Sequence, residues 1–226
     1  MRGKIICGLL GVVIEFLSPR IIQAQGTTYL SNLGQPSASS NPLGSDSWMA
    51  TGFMTGTNAA GYALDSTQLL MLDAAGLPAG FTVSVYSAIG QDDFTPLSSL
   101  GTLDGSLNPI TAGVYTYNPS STLTLSPITV YFIVATAGTP VATGGYEWSN
   151  TGTFPITYNP VGGWEAPVGF THSANYQSSD GISWSLRAGF PQFAVNATPI
   201  PEPGLLSLLG LGALSLLWHR RKAKSV

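Results

Sequence analysis

The sequence predicts an all-β domain, an antiparallel β-sandwich or jelly roll, set between an N-terminal signal peptide and one short C-terminal transmembrane helix. Three observations predict it. Between residues 25 and 198 the composition favours Gly, Ser, Thr, Pro and aromatics over Glu, Lys and Arg, so strand and turn formers outnumber helix formers. Short apolar runs with a period of two are separated by Gly, Pro or Asn every dozen residues or so. The first 24 and last 28 residues instead carry uncharged runs flanked by bases.

Taken in order, Gly26–Asp46 reads as an irregular Ser-, Asn- and Pro-rich lead-in after a short strand near Thr27–Leu30. Trp48–Met54 and the apolar Tyr62–Leu72 follow as strands, and Asp73–Gly80 reads as a turn. Phe81, Val83 and Val85 alternate with Thr82, Ser84 and Tyr86, the pattern of a half-buried strand. Leu100–Leu103 runs into the Asp104-Gly105 turn signal, and Val114–Tyr117 stops at Asn118-Pro119. Ile128–Ala135 is apolar on both faces, as in a central strand covered on each side; its period puts Ile128, Val130, Phe132 and Val134 on one face. Tyr146–Trp148, Ile156–Tyr158, Ile182–Leu186 and Phe193–Val195 complete the series.

Charge narrows the function. From Gly26 to Ile200 the single base Arg187 stands against nine acids, a formal charge near −8 with no lysine. Nucleic-acid binding needs Lys and Arg for the phosphates, so this composition argues against it. The only cysteine, Cys7, lies in the N-terminal segment, so the body cannot be held by disulfides.

The ends read as export devices. Arg2 and Lys4 precede the apolar Ile5–Ile14, and Ile22-Gln23-Ala24 offers a small residue before a cut, giving a signal peptide over residues 1–24. At the other end, 199–226 has a fixed order. Pro201, Glu202 and Pro203 come first, then an uncharged run over 204–218 with eight leucines, then the basic cluster 219–224. Such a run satisfies its backbone in lipid only as a helix, and Arg220, Arg221, Lys222 and Lys224 stay on the cytoplasmic side, leaving the body outside. Fifteen residues rise about 22 Å, less than the roughly 30 Å hydrocarbon core, which suits a transient anchor.

This tail resembles the PEP-CTERM sorting signal of Gram-negative bacteria. The resemblance implies that Pro201, Glu202 and Pro203 are recognised by a membrane exosortase, which removes the tail during export. It implies too that 204–218 is a passing helix and the basic cluster a stop. In the body, SWMATGFMTG, YALDSTQLLML, FTVSVYS, SLGTLDGS, the GVYTYNPSSTLTLSPITVYFIV run, YEWSNT and RAGFPQFAVNATPIPEP resemble the choice-of-anchor R domain, found joined to surface-sorting signals. That resemblance implies a class and no activity.

Signals for chemistry are sparse. His172 is the one histidine of the body, Asp92-Asp93 offers oxygen ligands without a calcium-loop spacing, and no cofactor motif occurs. The two body glutamates each adjoin a tryptophan, as Glu147-Trp148 and Trp164-Glu165. Aromatic faces cover sugar rings and carboxylates accept hydroxyl hydrogen bonds, so these four residues, with Trp184, are the candidates for a lectin-like module. A carboxylate pair also brings glycoside hydrolysis into consideration. The expectation is a non-catalytic surface or extracellular-matrix protein associated with exopolysaccharide, needing neither metal nor cofactor.

Overall fold

A computed structural model of the chain describes residues 26–90, 94–105, 108–152, 157–166 and 175–202. The predicted signal peptide and the tail beyond Glu202 lie outside them, as do His172, Asp92 and Asp93. Among the described residues there are fourteen strands and no helix, and no helix is long and apolar enough to cross a membrane.

The strands are β1 (Thr27–Ser31), β2 (Ser37–Leu43), β3 (Trp48–Met54), β4 (Tyr62–Gly76), β5 (Thr82–Ala88), β6 (Pro96–Gly105) and β7 (Gly113–Pro119). Then come β8 (Thr124–Leu125), β9 (Val130–Thr136), β10 (Gly144–Thr151), β11 (Asn175–Ser178), β12 (Ser185–Leu186), β13 (Phe190–Pro191) and β14 (Phe193–Pro199). All pair antiparallel within one sheet, whose main path runs β1-β14-β4-β7-β6-β5-β9-β3-β11-β12. The class is the predicted one. Instead of two facing sheets, hydrogen bonding links every strand into a single curled sheet.

β4 makes the curl possible. Its 15 residues extend roughly 50 Å, longer than an ordinary strand. One edge pairs with β14 over Tyr62–Leu69 and then with β10 over Met71–Gly76. The opposite edge takes β8 and β7. Leu64 faces Ala197 and Ser66 faces Asn196, so Asp65 is an extra residue, a β-bulge. The bulge shifts the alternation: Tyr62 and Leu64 point into the core, then Leu69 and Met71 do. The predicted turn at Asp73–Gly80 begins late, because Asp73–Gly76 still pairs with β10.

Two apolar clusters result. The larger fills the inside of the curl with Leu30, Phe53, Leu69, Met71, Val83, Val85, Ile133, Trp148, Phe193 and their neighbours. The smaller lies on the outer face of β3, β9 and β11: Ala50, Val130, Phe132, Val134 and Tyr176, with Trp48, Tyr86, Phe94 and Trp184 packed on it. β9 is thus buried on both faces, as its sequence predicts. Ile128 departs from that reading. It precedes β9, is 52 % exposed and has φ of 48°, so the backbone turns out of the strand before reaching it.

Four further expectations are corrected. Ser37–Leu43, read as irregular, is a strand because β10 and its partner hydrogen bonds draw it into the sheet from Ser37 to Leu43. Asp104-Gly105 is not yet a turn, since both residues still pair with β7. Thr157 and Tyr158 are not in a strand, and of Ile182–Leu186 only Ser185–Leu186 pairs.

Candidate functional site

The last described residues sit on the body with no linker. β14 ends at Pro199 opposite Tyr62, the first residue of β4. The next amide, Ile200, donates to the carbonyl of Gly61 at 3.0 Å, and Asn58 Nδ2 donates to the Ile200 carbonyl at 3.1 Å. Asn58 Nδ2 also donates to the Gly61 carbonyl. Glu202, exposed, accepts from the Ala59 amide through Oε1 at 3.3 Å. The β3–β4 connection therefore holds Ile200–Glu202 along its own surface. Gly61, at φ of 80°, supplies the turn, and a side chain there would meet the Leu125 carbonyl.

Below this junction is an aromatic stack. Trp164 lies between Tyr29 at 4.8 Å and Phe53 at 5.7 Å, and Tyr62 meets it edge-on at 5.1 Å. Burial first, then Tyr62 and Asp65, push the Tyr29 phenol above its usual pKa, so it stays neutral. The stack gives the loops that carry the exit a rigid floor.

The sequence-predicted sugar residues do not converge. Trp148 is wholly buried, its Nε1 donating to the Gln192 carbonyl at 3.0 Å, while Glu147 points to the other face and accepts from Ser40 Oγ at 2.7 Å. Neighbours along a strand face opposite ways, so adjacency in sequence separates the carboxylate from the ring. Trp164 is likewise buried, and exposed Glu165 is tied through its main chain to Met54. Neither indole presents a face to solvent. Of the sorting residues, Pro201 and Glu202 are in place at the surface, whereas Pro203, Arg220, Arg221, Lys222 and Lys224 lie outside the described residues.

Two hollows were not anticipated. One, about 380 Å³, is formed by Asp46, Gln177, Ser179, Ser183 and half-buried Trp184. The other is a polar groove of about 980 Å³ on the outer face of β14, β4 and β7, with Asp65, Ser66, Gln68, Thr116 and Asn196 along it. Neither carries a sequence signal, because its Ser, Thr and Asn are also the ordinary solvent face of a sheet. Among the described residues no group of three or more His, Cys, Asp or Glu side chains is arranged to hold a metal.

Comparison with known proteins finds one feature. The family model of the PEP-CTERM protein-sorting motif matches residues 199–222, which takes in the end of β14, the docked Ile200–Glu202 and the run beyond. A motif of this kind marks a protein for sorting to the cell exterior through exosortase. No curated protein and no solved structure matches the chain.

Proposed function

We propose that the protein is an exported surface or extracellular-matrix protein whose tail is recognised and removed by exosortase, and whose β body serves a non-catalytic structural or interaction role alongside exopolysaccharide. In this reading residues 204–218 cross the inner membrane transiently and Arg220, Arg221, Lys222 and Lys224 hold them there. The observation that carries it is the sorting motif at 199–222, with Pro201 and Glu202 exposed immediately after the last strand. The body's resemblance to the choice-of-anchor R domain agrees with it, as does a body with one base and nine acids. C-terminal mass spectrometry of exported protein tests it. The expected end lies near Pro201–Gly204, and an intact Arg220–Val226 end on the mature surface protein overturns processing.

A second reading, a lectin-like module, is favoured by the hollow at Trp184, where an aromatic edge stands beside Gln177, Asp46 and several serines. A glycan array with the body and its Trp184→Ala variant tests it: sugar binding lost in the variant supports the lectin, and no binding by either removes it.

A further inference from the structure

We infer that the end of the body around the tail exit is a membrane-apposed surface, resting on the outer leaflet of the bilayer while the tail is inserted. The inference builds on the transient anchoring proposed above.

Three segments meet at that end. Gly56–Gly61 joins β3 to β4, Ser126–Thr129 joins β8 to β9, and residues 159–164 follow along β1. They are knit together. The Ile128 amide donates to the Gly56 carbonyl at 3.0 Å, Thr55 Oγ1 donates to the Ser126 carbonyl at 2.6 Å, and Val161 donates its amide to Tyr29 at 2.9 Å. Gly56 admits only hydrogen on its Cα, because a side chain would meet the Gly162 carbonyl. Ile200–Glu202 runs over the first of these connections.

The collar is neutral and partly apolar. GTNAAG, SPIT and NPVGGW contain no charged residue, although the body carries nine acids. The collar exposes two branched aliphatics, Ile128 at 52 % and Val161 at 49 %, with Ala59 and Gly162–Gly163 exposed between them. Ile128 is the one non-glycine residue with positive φ among the described residues. A β-branched residue is a poor choice there on steric grounds, and its side chain makes the tip of the turn apolar. Three acids border it: Asp65 accepts from Thr198, Glu202 accepts from Ala59, and exposed Glu165 directly follows Trp164 with its main chain paired to Met54.

Chain length sets the distance. From Glu202 to Gly204, where the uncharged run begins, there are two residues, and an extended chain covers at most about 7 Å in that length. The headgroup layer on one side of a bilayer is itself roughly 5–7 Å thick. A body docked through Ile200 on its own loop therefore cannot stand clear of the lipid once the run is buried. The neutral collar with Ile128 and Val161 is the surface that meets it. Interfacial contact of apolar side chains strengthens as more of their area leaves water, so the collar steadies the short anchor.

The test uses the full chain in phosphatidylethanolamine–phosphatidylglycerol vesicles, in a Cys7→Ser background. An environment-sensitive fluorophore is placed in turn at Ile128→Cys, Val161→Cys, Leu77→Cys and Leu211→Cys. Leu77 follows the far end of β4 and is 86 % exposed, so it reports the opposite end of the body. Leu211 lies in the uncharged run. The expected result is quenching by lipid-attached nitroxide at 128, 161 and 211, with Leu77 quenched only by aqueous iodide. A lipid-protected position 211 beside water-exposed positions 128 and 161 overturns the collar alone. A water-exposed position 211 overturns the anchoring reading and the collar with it.

Discussion

Trp148 and Gln192 are joined by a 3.0 Å hydrogen bond from the indole to the main-chain carbonyl, and both residues are fully buried. The same glutamine holds its side chain between three partners. Its Oε1 accepts from Ser149 Oγ at 2.7 Å, and its Nε2 donates to the carbonyls of Gln35 at 2.6 Å and Asn32 at 3.5 Å. β10, β4, the β1–β2 connection and the start of β14 therefore share one polar knot inside the larger core. Gln192→Leu removes those partners at similar volume and leaves the Gln35 carbonyl unpaired. The expected loss is about 1–3 kcal/mol in urea unfolding. An unchanged midpoint would show that water reaches these groups.

Phe132 anchors the outer cluster. Its side chain is fully buried and meets Tyr176 edge-on at 5.7 Å, joining β9 to β11 across β3. Phe132→Ala is expected to cost about 3–5 kcal/mol in the same assay. A loss below about 1 kcal/mol would mean that the outer face collapses to fill the gap.

The turn after β11 is built on Asp180. Its carboxylate accepts from the amides of Ser183 at 2.7 Å and Ile182 at 2.8 Å, and from Ser178 Oγ at 2.8 Å. Those hydrogen bonds, Ser183's first, hold the carboxyl well below its ordinary 3.8. With the folded pKa below the unfolded one, the stabilisation is complete above the unfolded value and drains away as pH falls past it. Stability measured from about pH 5 down to about pH 2 should therefore fall more steeply in the native chain than in Asp180→Asn. Parallel profiles would sink the assignment.

Ile128 is held in the left-handed region at φ of 48°. Relief of that conformation outweighs the extra unfolded-state freedom of glycine, so Ile128→Gly should raise stability by roughly 0.5–1 kcal/mol. Thermal unfolding of the two proteins checks it, and a lower midpoint for the variant counts against strain at this turn.

Sorting should depend on the motif itself. A Glu202→Ala, Pro203→Ala variant is expected to remain full length in the inner membrane, read by immunoblot of membrane and secreted fractions. Normal release of the variant would place recognition elsewhere in 199–222.

What could be read in advance depended on whether a residue's state is set locally. β9 was legible because VYFIVA is apolar on both faces, and only a strand covered on both sides tolerates that. The tail was legible because motif, run and bases follow one another in a fixed order. β2 was not legible: SASSNPL has no apolar alternation, and its extension comes from pairing with β10, more than a hundred residues away. The far end of β4 was not legible either: Asp73–Gly76 has no apolar alternation, and it stays extended because β10 pairs with it. Glu147 and Trp148 misled because adjacency along a strand means opposite faces. The clasp of Asn58 on Ile200 spans 142 positions and involves a main-chain carbonyl, which every residue carries, so nothing in the sequence marks it.

The place of β14 between β1 and β4 bears on when the protein can fold. On the export route proposed above, a chain threaded outward from its N-terminus delivers residues 193–199 after every other strand, yet these residues fill an interior lane of the sheet and bring Phe193 and Val195 to the core. Until they emerge, β1 has no partner in the sheet and one side of the curl stays open. Closure therefore falls at the close of translocation, within a few residues of the moment the Pro-Glu-Pro segment itself comes out. On that proposed route, the protein would reach its processing enzyme as a newly completed fold, and a body stalled in transit would have no finished motif to offer.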